Sequence, residues 1–464
     1  MDATLLTDFP WRRQAQAAPA AIALRADTEQ LSWRALAQRL DRLCRGFQQQ
    51  GVAAGSLVAL RGNNSLPLLL AWLALLQAGA RVLPLNPQLP PATLQPLLAS
   101  IGPNFILDLA KTPCGQGYPS LMLRACGAPA TASPDWRPDA IATLTLTSGS
   151  SGLPKAAAHT FQALLLSAAG VNQLMNFNEG ESWLLSLPLY HVSGQGIVWR
   201  WLLAGACLTI SSAPVAQALA GCSFASLVPT QLWRLLRQPQ PVNGVKAVLL
   251  GGAAIPPDLV AQAEARGIGC WCGYGLTESA ATVCGKRADA LPGVGNPLYG
   301  REVRLVEGEI WIRGAMLASG YWRDGRLRPL TDAQGWFATR DAGRWQQGEL
   351  QVLGRKDNLF FSGGEAVQPE AIENLLLRHP AVLEALIVPL ADEEWGARPA
   401  ALLTLAPGAR MESVSAWAQP QLAVFQRPCC WLPLPPTQGG IKPARRQLAQ
   451  WLQTQRALMP QRRR

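Results

Sequence analysis

The sequence predicts an α/β protein: a large N-terminal domain of doubly wound sheets with a small β-barrel-like part, followed by a small mobile α+β C-terminal domain. Its 464 residues exceed what one hydrophobic core usually organises, so at least two domains are expected. Hydrophobic residues make up 49% of the chain and charged residues 15%, the composition of a folded globular protein. Short apolar runs alternate with helix-like stretches over most of the chain, which indicates parallel sheets covered by helices.

Runs rich in Val, Ile and Leu predict the strands of these sheets, and loops of Gly, Ser and Pro follow several of them. The predicted strands include residues 56–60, 81–85, 183–186, 206–210, 225–228 and 247–250. The most apolar stretch, 62–80, is interrupted by two asparagines, a proline and a glutamine, so its continuous part is too short to span a bilayer. It is predicted to form a buried helix that ends at Gly79.

After about residue 295 the pattern changes to short strands joined by Asp-Gly and Gly-Glu turns. This pattern is typical of antiparallel hairpins or a small barrel, here at about 296–353. A smaller α/β segment follows, with a helix predicted at 369–378 and a strand at 385–389. A domain boundary is expected near Asp357, which gives predicted domains of residues 1–355 and 356–464.

Charge and cysteine usage exclude several classes of function. The net charge is +11, but the basic residues are scattered apart from the tail at 462–464, which disfavours a nucleic-acid partner. The ten cysteines contain no CxxC pair and there are only three histidines, so a structural zinc site is not expected. The first residues, MDATLLTDFPWRR, lack a continuous apolar core, which predicts a cytoplasmic protein without a signal peptide or membrane insertion.

The strongest local signal is segment 144–160, LTLTSGSSGLPKAAAHT, where a β-like run leads into a loop of hydroxyl residues and glycines. Hydroxyls and unhindered backbone N–H groups can surround phosphate oxygens, and a lysine adds a mobile positive charge. A Ser/Gly-rich turn alone is more often a flexible loop, but the lysine directly after Leu-Pro favours a phosphate site. It is not a Walker A loop, because GxxxxGK[ST] is absent. The candidates are Thr147, Ser148, Gly149, Ser150, Ser151, Gly152 and Lys155.

A second candidate segment is CGYGLTES at 272–279. Gly273 and Gly275 would let the backbone approach a flat ligand, and Tyr274 offers a ring that can stack on a base. Thr277 can hydrogen-bond a phosphate or carboxylate, and Glu278 can hold Mg²⁺ through oxygen. The alternative is an ordinary strand-to-helix turn with a capping Thr and Glu.

Three single residues are further candidates. Asp341 could accept hydrogen bonds from both ribose hydroxyls, although a hairpin-turn aspartate is equally plausible. Arg355 could reach the ribose or a phosphate, or be a surface arginine. Lys442 follows a double glycine near the end of the chain, where most lysines are solvated, so its importance depends on the other motifs.

Taken in order, these motifs resemble the acyl-adenylate-forming superfamily of acyl-CoA synthetases, luciferases and peptide-synthetase adenylation domains. The resemblance covers essentially the whole chain. It implies an ATP-, Mg²⁺- and coenzyme A-dependent ligase in which the small domain swings over the large one about a hinge at Asp357. It implies that Ser148 to Lys155 hold phosphate and that Glu278 holds Mg²⁺. The remaining implied adenylate residues are Gly251, Gly252, Ala253 and Gly273 to Thr277, with Asp341 and Arg355 on the ribose and Lys442 at the reacting carboxylate.

The segment SLPLYHVSGQGIVWRWLLAGA at 186–206 carries the information about the acid. His191 is more often a residue that shapes an acyl pocket than a general base. Arg200 is expected in an apolar helix that follows a Gly-rich turn. It either extends its charge to solvent or binds a second anionic group of the substrate, since an unpaired buried cation is costly.

Four segments are closely similar to a branch of the superfamily that activates 2-succinylbenzoate, an aromatic acid with two carboxylates. The segments are LPLYHVSGQGIVWRW, SLVPTQLWRLL, AVLLGGAAIP and LFFSGGEAVQPEAIE. This resemblance implies that Arg200 holds the carboxylate that is not activated, with Ser193 and Thr277 nearby and Gly251 and Gly275 lining the acid site. It also implies that the loop of Gly363 and Gly364 lies near the pantetheine of CoA.

Several alternatives stay open at this point. The nearest is another aryl or short-chain acid–CoA ligase, whose monocarboxylate pocket would have no use for Arg200. A stand-alone adenylation domain that loads a carrier protein is a second alternative, and an adenylate-binding protein without catalysis is a third. Small-molecule substrates are the expected partners, and a homo-oligomer is possible.

Overall fold

The computed structural model describes residues 6–110, 117–127, 135–147, 154–238, 244–251, 255–289, 291, 293–435 and 445–458. Within these ranges the helices are α1 (Pro10–Ala17), α2 (Trp33–Gln49), α3 (Leu66–Gln77), α4 (Pro91–Ile101), α5 (Phe161–Met175), α6 (Val192–Ala204), α7 (Val215–Ala218), α8 (Pro229–Leu236), α9 (Pro257–Glu264), α10 (Pro369–Leu376), α11 (Met411–Ala418) and α12 (Arg445–Leu458). Short 3-10 turns lie at Thr277–Ser279, Lys356–Asn358, Gln419–Gln421 and Val424–Gln426.

The first large sheet is mostly parallel. Its strands, in spatial order, are β14 (Asn296–Pro297), β13 (Ala281–Arg287), β12 (Gly269–Leu276), β11 (Ala247–Leu250), β10 (Phe224–Leu227), β8 (Ser182–Leu184), β9 (Cys207–Ile210), β1 (Ile22–Ala26) and β2 (Gln30–Ser32). The central strands from β12 to β1 pair in parallel, and the outer strands pair antiparallel. Strand order differs from chain order, as in a doubly wound sheet.

The second large sheet lies in the same N-terminal part. Its strands, in spatial order, are β18 (Arg326–Pro329), β17 (Gly320–Arg323), β7 (Lys155–Thr160), β6 (Ile141–Thr147), β4 (Arg81–Leu85), β3 (Leu57–Arg61) and β5 (Phe105–Asp108). Strands β3, β4, β5 and β6 are parallel, whereas β6, β7, β17 and β18 run antiparallel.

The β-rich stretch after residue 295 divides between two sheets. Strands β15 (Arg301–Val306), β16 (Glu309–Gly314), β19 (Phe337–Gln346) and β20 (Glu349–Arg355) form a separate four-stranded antiparallel sheet. Hairpin β17–β18 leaves this stretch and joins the second large sheet by pairing with β7. The sequence indicated one β-rich part at 296–353. The structure differs because the central hairpin of this stretch pairs with β7 and so belongs to the second large sheet.

The C-terminal elements have their own sheet. A hairpin of β21 (Phe360–Ser362) and β22 (Glu365–Val367) leads into β23 (Val382–Asp392), β24 (Gly396–Leu405) and β25 (Cys430–Pro433). Helices α10 and α11 pack on one face of this three-stranded sheet and α12 on the other. Asp357 lies in the 3-10 turn at Lys356–Asn358, between the N-terminal sheets and these elements.

The main core lies between the two large sheets. It contains Val58 and Val82 from the second sheet, Trp183 and Leu208 from the first, and side chains of α2, α3, α5 and α6. The apolar stretch at 62–80 forms α3, whose residues are almost all buried because the helix has protein on every side. The prediction of a buried helix is therefore confirmed, with its last helical residue at Gln77.

In the part of the chain that the structure describes, no helix combines the length and apolar character needed to cross a bilayer.

Candidate active site

The phosphate-loop candidates flank a hairpin of the second large sheet. Lys155 begins β7 and lies opposite Thr147, the last residue of β6. The lysine is exposed, so its ammonium can move toward an anion. The loop between the two strands lies outside the described residues, and with it the candidates Ser148, Gly149, Ser150, Ser151 and Gly152.

Glu278 lies in a 3-10 turn whose backbone is fixed by neighbouring elements. The backbone N–H of Ala318 donates to the Glu278 carbonyl at 2.8 Å. Nε2–H of the fully buried His159 donates to the Thr277 carbonyl at 2.8 Å. Ser167 Oγ donates to the carbonyl of Ala280 at 2.6 Å. These three contacts hold the turn from three directions.

The side-chain carboxylate of Glu278 also has a hydrogen-bond partner. The phenol of Tyr321 donates to Glu278 Oε1 at 2.6 Å, and Lys155 Nζ lies 5.0 Å from the centroid of the Tyr321 ring. Burial, followed by the charge of Glu278, raises the pKa of Tyr321, so the phenol remains a hydrogen-bond donor.

This arrangement suits Mg²⁺ bound together with a nucleotide. The described residues contain no cluster of three or more His, Cys, Asp and Glu side chains that could hold a metal alone. Mg²⁺ usually takes one or two protein carboxylates and completes its shell with waters and substrate phosphates. The half-buried Glu278, with one oxygen fixed by Tyr321, matches that requirement.

Tyr274 and Asp341 meet at the boundary between the first and third sheets. The Tyr274 phenol donates to Asp341 Oδ2 at 2.5 Å, and both side chains are buried. Burial and the Asp341 charge raise the pKa of Tyr274, so this phenol also stays protonated. Asp341 lies within β19, which excludes the hairpin-turn explanation of this residue.

Arg355 is the third member of this group. It pairs in register with Asp341 across β19 and β20, and Nη1 lies 3.3 Å from Asp341 Oδ1. Its Nη2 lies 3.2 Å from Asp357 in the predicted hinge. Partial burial opposes its charge, but Asp341, Asp357 and the more distant Glu278 outweigh burial and raise the pKa of Arg355. The Glu278 turn and the Asp341 pair therefore belong to one electrostatic neighbourhood.

Strand pairing requires both glycines of the 272–279 segment, and their predicted approach to a flat ligand stays a prediction. A Cβ on Gly275 would lie 1.7 Å from the Ala281 carbonyl oxygen, and a Cβ on Gly273 would lie 2.6 Å from that of Cys284. Both oxygens belong to the adjacent strand β13, so the glycines permit close strand pairing rather than ligand approach on that side. Likewise, Tyr274 packs in a cluster with Val283, and its stacking on a base stays a prediction.

Arg200 is buried in α6 with only 2% of its surface exposed. Its Nη1 donates to Ser226 Oγ at 3.2 Å, and its guanidinium lies 5.0 Å from the Trp183 ring centroid. Burial, and then the like charge of Arg301, lower the pKa of Arg200 to about 9, so the group is still charged at neutral pH. The explanation of a solvent-reaching arginine is therefore wrong, because its guanidinium is buried against Ser226 of β10 and Trp183 of β8.

The helix that carries Arg200 begins earlier than predicted. Helix α6 starts at Val192, so Gly194 lies inside it rather than in a preceding turn. A Cβ at Gly194 would lie 2.1 Å from the Pro188 carbonyl oxygen, which explains the glycine by close packing. His191 precedes the helix and Ser193 lies in its first turn, both half-buried. Burial lowers the pKa of His191, so its ring is neutral at neutral pH.

The remaining candidates lie elsewhere or outside the described residues. Gly363 and Gly364 form the turn between β21 and β22 with φ values of +60° and +84°, which explains both glycines by turn geometry. Gly251 follows β11, and the adjoining Gly252 and Ala253 are not among the described residues. Lys442 also lies outside them, three residues before α12 begins at Arg445.

Sequence reasoning missed Tyr321, Ser226, Trp183 and His159. Each is recognised only through a contact between distant segments: Tyr321 is 43 residues from Glu278, and Ser226 is 26 residues from Arg200. His159 lies within the 144–160 segment, and that position is the one signal that could have drawn attention to it.

These strands, turns and paired side chains are those of a nucleotide-binding enzyme, and comparison with known proteins agrees. The family described as "AMP-binding enzyme" matches residues 11–322, and the family described as "AMP-binding enzyme C-terminal domain" matches residues 371–430. The chain belongs to the AMP-binding enzyme family.

Individual relatives show which members of this family the chain is similar to. The chain is 53% identical to a 2-succinylbenzoate–CoA ligase of Escherichia coli K12, over 97% of this chain and 100% of the relative. A 2-succinylbenzoate–CoA ligase of Haemophilus influenzae is 44% identical, over 93% and 95%. The structure of a lysine-for-arginine variant of E. coli MenE with bound OSB-AMS superimposes with a TM-score of 0.90 at 50% identity, covering 97% of this chain and 99% of that one.

Proposed function

We propose that this chain ligates 2-succinylbenzoate to coenzyme A in an ATP- and Mg²⁺-dependent reaction through an acyl-adenylate, yielding 2-succinylbenzoyl-CoA, AMP and pyrophosphate. This is a step of menaquinone biosynthesis. The observation that carries the choice of acid is Arg200, a buried cation whose described contacts are a neutral hydroxyl and an aromatic ring. A substrate carboxylate would complete its pairing.

The adenylation half-reaction brings two anions together. A carboxylate oxygen of the acid attacks the α-phosphorus of ATP, the bond to the β-phosphate breaks, and pyrophosphate leaves. Lys155 and Lys442 supply positive charge against these anions, and Asp341 with Arg355 hold the ribose. Bound Mg²⁺ would be held by Glu278 and would neutralise phosphate oxygens.

The other residues proposed to line the acid pocket are His191, Ser193, Gly251, Gly275 and Thr277. Two of these proposals have support in the geometry: His191 and Ser193 stand at the start of the helix that carries Arg200. His191 acts by shaping the pocket. Its ring is neutral and half-buried, and the contacts among the described residues show no group from which it would take a proton.

The thioester half-reaction needs another geometry. The CoA sulfur attacks the acyl carbonyl, AMP leaves with the bonding pair, and the thiol proton is released. We propose that the domain at 356–464 rotates about Asp357 against the domain at 1–355, which removes Lys442 and brings the Gly363–Gly364 turn toward the pantetheine. Support comes from the position of Asp357 in the 3-10 turn at Lys356–Asn358, which joins the N-terminal sheets to the C-terminal elements.

The partners are the small molecules 2-succinylbenzoate, ATP and CoA, and the site of action is the cytoplasm, where ATP and CoA are available. Neither a nucleic acid nor a membrane is needed for this chemistry. A homo-oligomer stays a prediction, which light scattering in solution checks.

The test is pyrophosphate release with ATP and Mg²⁺ over 2-succinylbenzoate, benzoate, 4-coumarate, acetate and octanoate, followed by CoA-dependent thioester formation. We expect turnover with 2-succinylbenzoate alone. Turnover with a monocarboxylate would keep the ligase chemistry and replace the acid. Transfer to a phosphopantetheinyl carrier protein but not to CoA would indicate a carrier-loading adenylation domain. The absence of pyrophosphate release with every acid would contradict the proposal.

A further inference from the structure

Tyr321 stands between the two oppositely charged side chains of the phosphate site. Its hydroxyl donates to Glu278 Oε1 at 2.6 Å, while its ring is 5.0 Å from Lys155 Nζ. One side chain therefore engages a carboxylate at its edge and an ammonium near its ring.

The position of Tyr321 is set by strand pairing rather than by a flexible loop. Tyr321 lies in β17 opposite Ala157, two residues after Lys155 in β7. Ala318, just before this strand, donates its backbone N–H to the Glu278 carbonyl at 2.8 Å. The same short segment thus fixes the tyrosine relative to the lysine and relative to the glutamate.

The electrostatic consequence concerns the enzyme before nucleotide binds. A flexible lysine and a carboxylate that share one neighbouring side chain attract each other, and their pairing would occupy both groups needed for Mg²⁺ and phosphate. The phenol gives each charge a separate partner: a hydrogen bond for the carboxylate and an electron-rich ring for the ammonium.

We propose that Tyr321 is a positioning residue that orients Glu278 for Mg²⁺ and keeps Lys155 from pairing with that carboxylate. This inference rests on the proposed function, because it assigns Glu278 to the metal. Groups that hydrogen-bond a metal-binding carboxylate fix its orientation and typically change metal affinity by about tenfold to a hundredfold when removed.

Two substitutions separate the two parts of this role. Tyr321→Phe removes the hydroxyl and keeps the ring, whereas Tyr321→Leu removes both. Isothermal titration calorimetry measures ATP binding in excess Mg²⁺ and in EDTA. For Tyr321→Phe we expect about tenfold weaker binding in Mg²⁺ and little change in EDTA. For Tyr321→Leu we expect weaker binding under both conditions, because Lys155 then pairs with Glu278.

Two controls identify the cause of any change. Tyr299→Phe removes the hydroxyl of a tyrosine whose side chain is 79% exposed, and we expect wild-type binding. In a Glu278→Gln background, adding Tyr321→Phe should cause no further loss, since the tyrosine hydroxyl acts through that carboxylate. Thermal melting verifies that each variant is folded.

The outcomes are distinguishable. Wild-type Mg²⁺-dependent binding by Tyr321→Phe, or equal weakening with and without Mg²⁺, would overturn the inference and leave the proposed function intact. A wild-type protein whose ATP binding does not depend on Mg²⁺ would instead contradict the proposed function.

Discussion

The phenol of Tyr274 donates a 2.5 Å hydrogen bond to the carboxylate of Asp341, joining the first large sheet to the antiparallel third sheet. Arg355 lies 3.3 Å from the other oxygen of that carboxylate. Asp341 is therefore oriented from two sides before any ribose binds.

Removing this orientation should weaken ATP binding. We expect Tyr274→Phe to raise the KM for ATP about fivefold to thirtyfold, because losing a hydrogen bond to a buried charged group costs about 1 to 2 kcal/mol. Steady-state kinetics at saturating acid measures the change, and Asp341→Asn should produce a larger one. An unchanged KM for ATP in both variants would remove Asp341 from the ribose site.

Arg200→Ala should affect the acid far more than the nucleotide. Loss of a charge-assisted hydrogen bond costs about 1.5 to 3 kcal/mol, so we expect the KM for 2-succinylbenzoate to rise about tenfold to a hundredfold. The KM for ATP should change little. The measurement is pyrophosphate release, with Ser226→Ala as a milder variant that leaves the guanidinium in place.

A matched substrate sharpens this prediction. 4-Oxo-4-phenylbutanoate has the chain that is activated but lacks the ring carboxylate, so Arg200→Ala should change its KM much less than that of 2-succinylbenzoate. Equal effects on both acids would mean that Arg200 supports the fold of the pocket and does not bind the second carboxylate.

Lys442→Ala should separate the two half-reactions. We expect adenylate formation to fall by about a hundredfold or more, since preorganised charge at the transition state typically contributes that much. Thioester formation from supplied acyl-adenylate should remain largely intact, because that step does not use this lysine. Single-turnover assays with each starting material measure the two rates, and equal losses would refute the assignment.

His159 should make the stability of the protein sensitive to acid. Burial lowers its pKa from 6.5 to about 4, so the folded protein keeps the ring neutral where the unfolded chain binds a proton. Stability should therefore fall as pH drops from about 6.5 to about 4, by up to about 3 kcal/mol from this residue.

The test is the thermal unfolding midpoint measured across that pH range. His159→Gln removes the titrating ring and retains an amide donor for the Thr277 carbonyl. We expect its midpoint to fall less steeply with acid than that of the wild type. Parallel curves for the two proteins would show that other groups cause the acid sensitivity.

Sequence patterns located many elements well. The strands at 81–85 and 247–250 were predicted at their observed bounds, because apolar runs in buried parallel strands are distinct from their Gly- and Pro-rich surroundings. Helix α6 was placed too late, since glycines usually indicate a turn and the close approach of Gly194 to Pro188 is a tertiary contact.

The sequence by itself determined the fold class, the nucleotide chemistry and the candidate residues, because these depend on local patterns and motifs whose residue types carry their chemistry. Only the tertiary structure decided that Arg200 is enclosed rather than solvated, that Tyr274 holds Asp341, and that Tyr321 contacts both Lys155 and Glu278. The physical reason is that burial and pairing depend on contacts between residues far apart in the chain. Tyr274 and Asp341, for example, are 67 positions apart, and no local pattern records their contact.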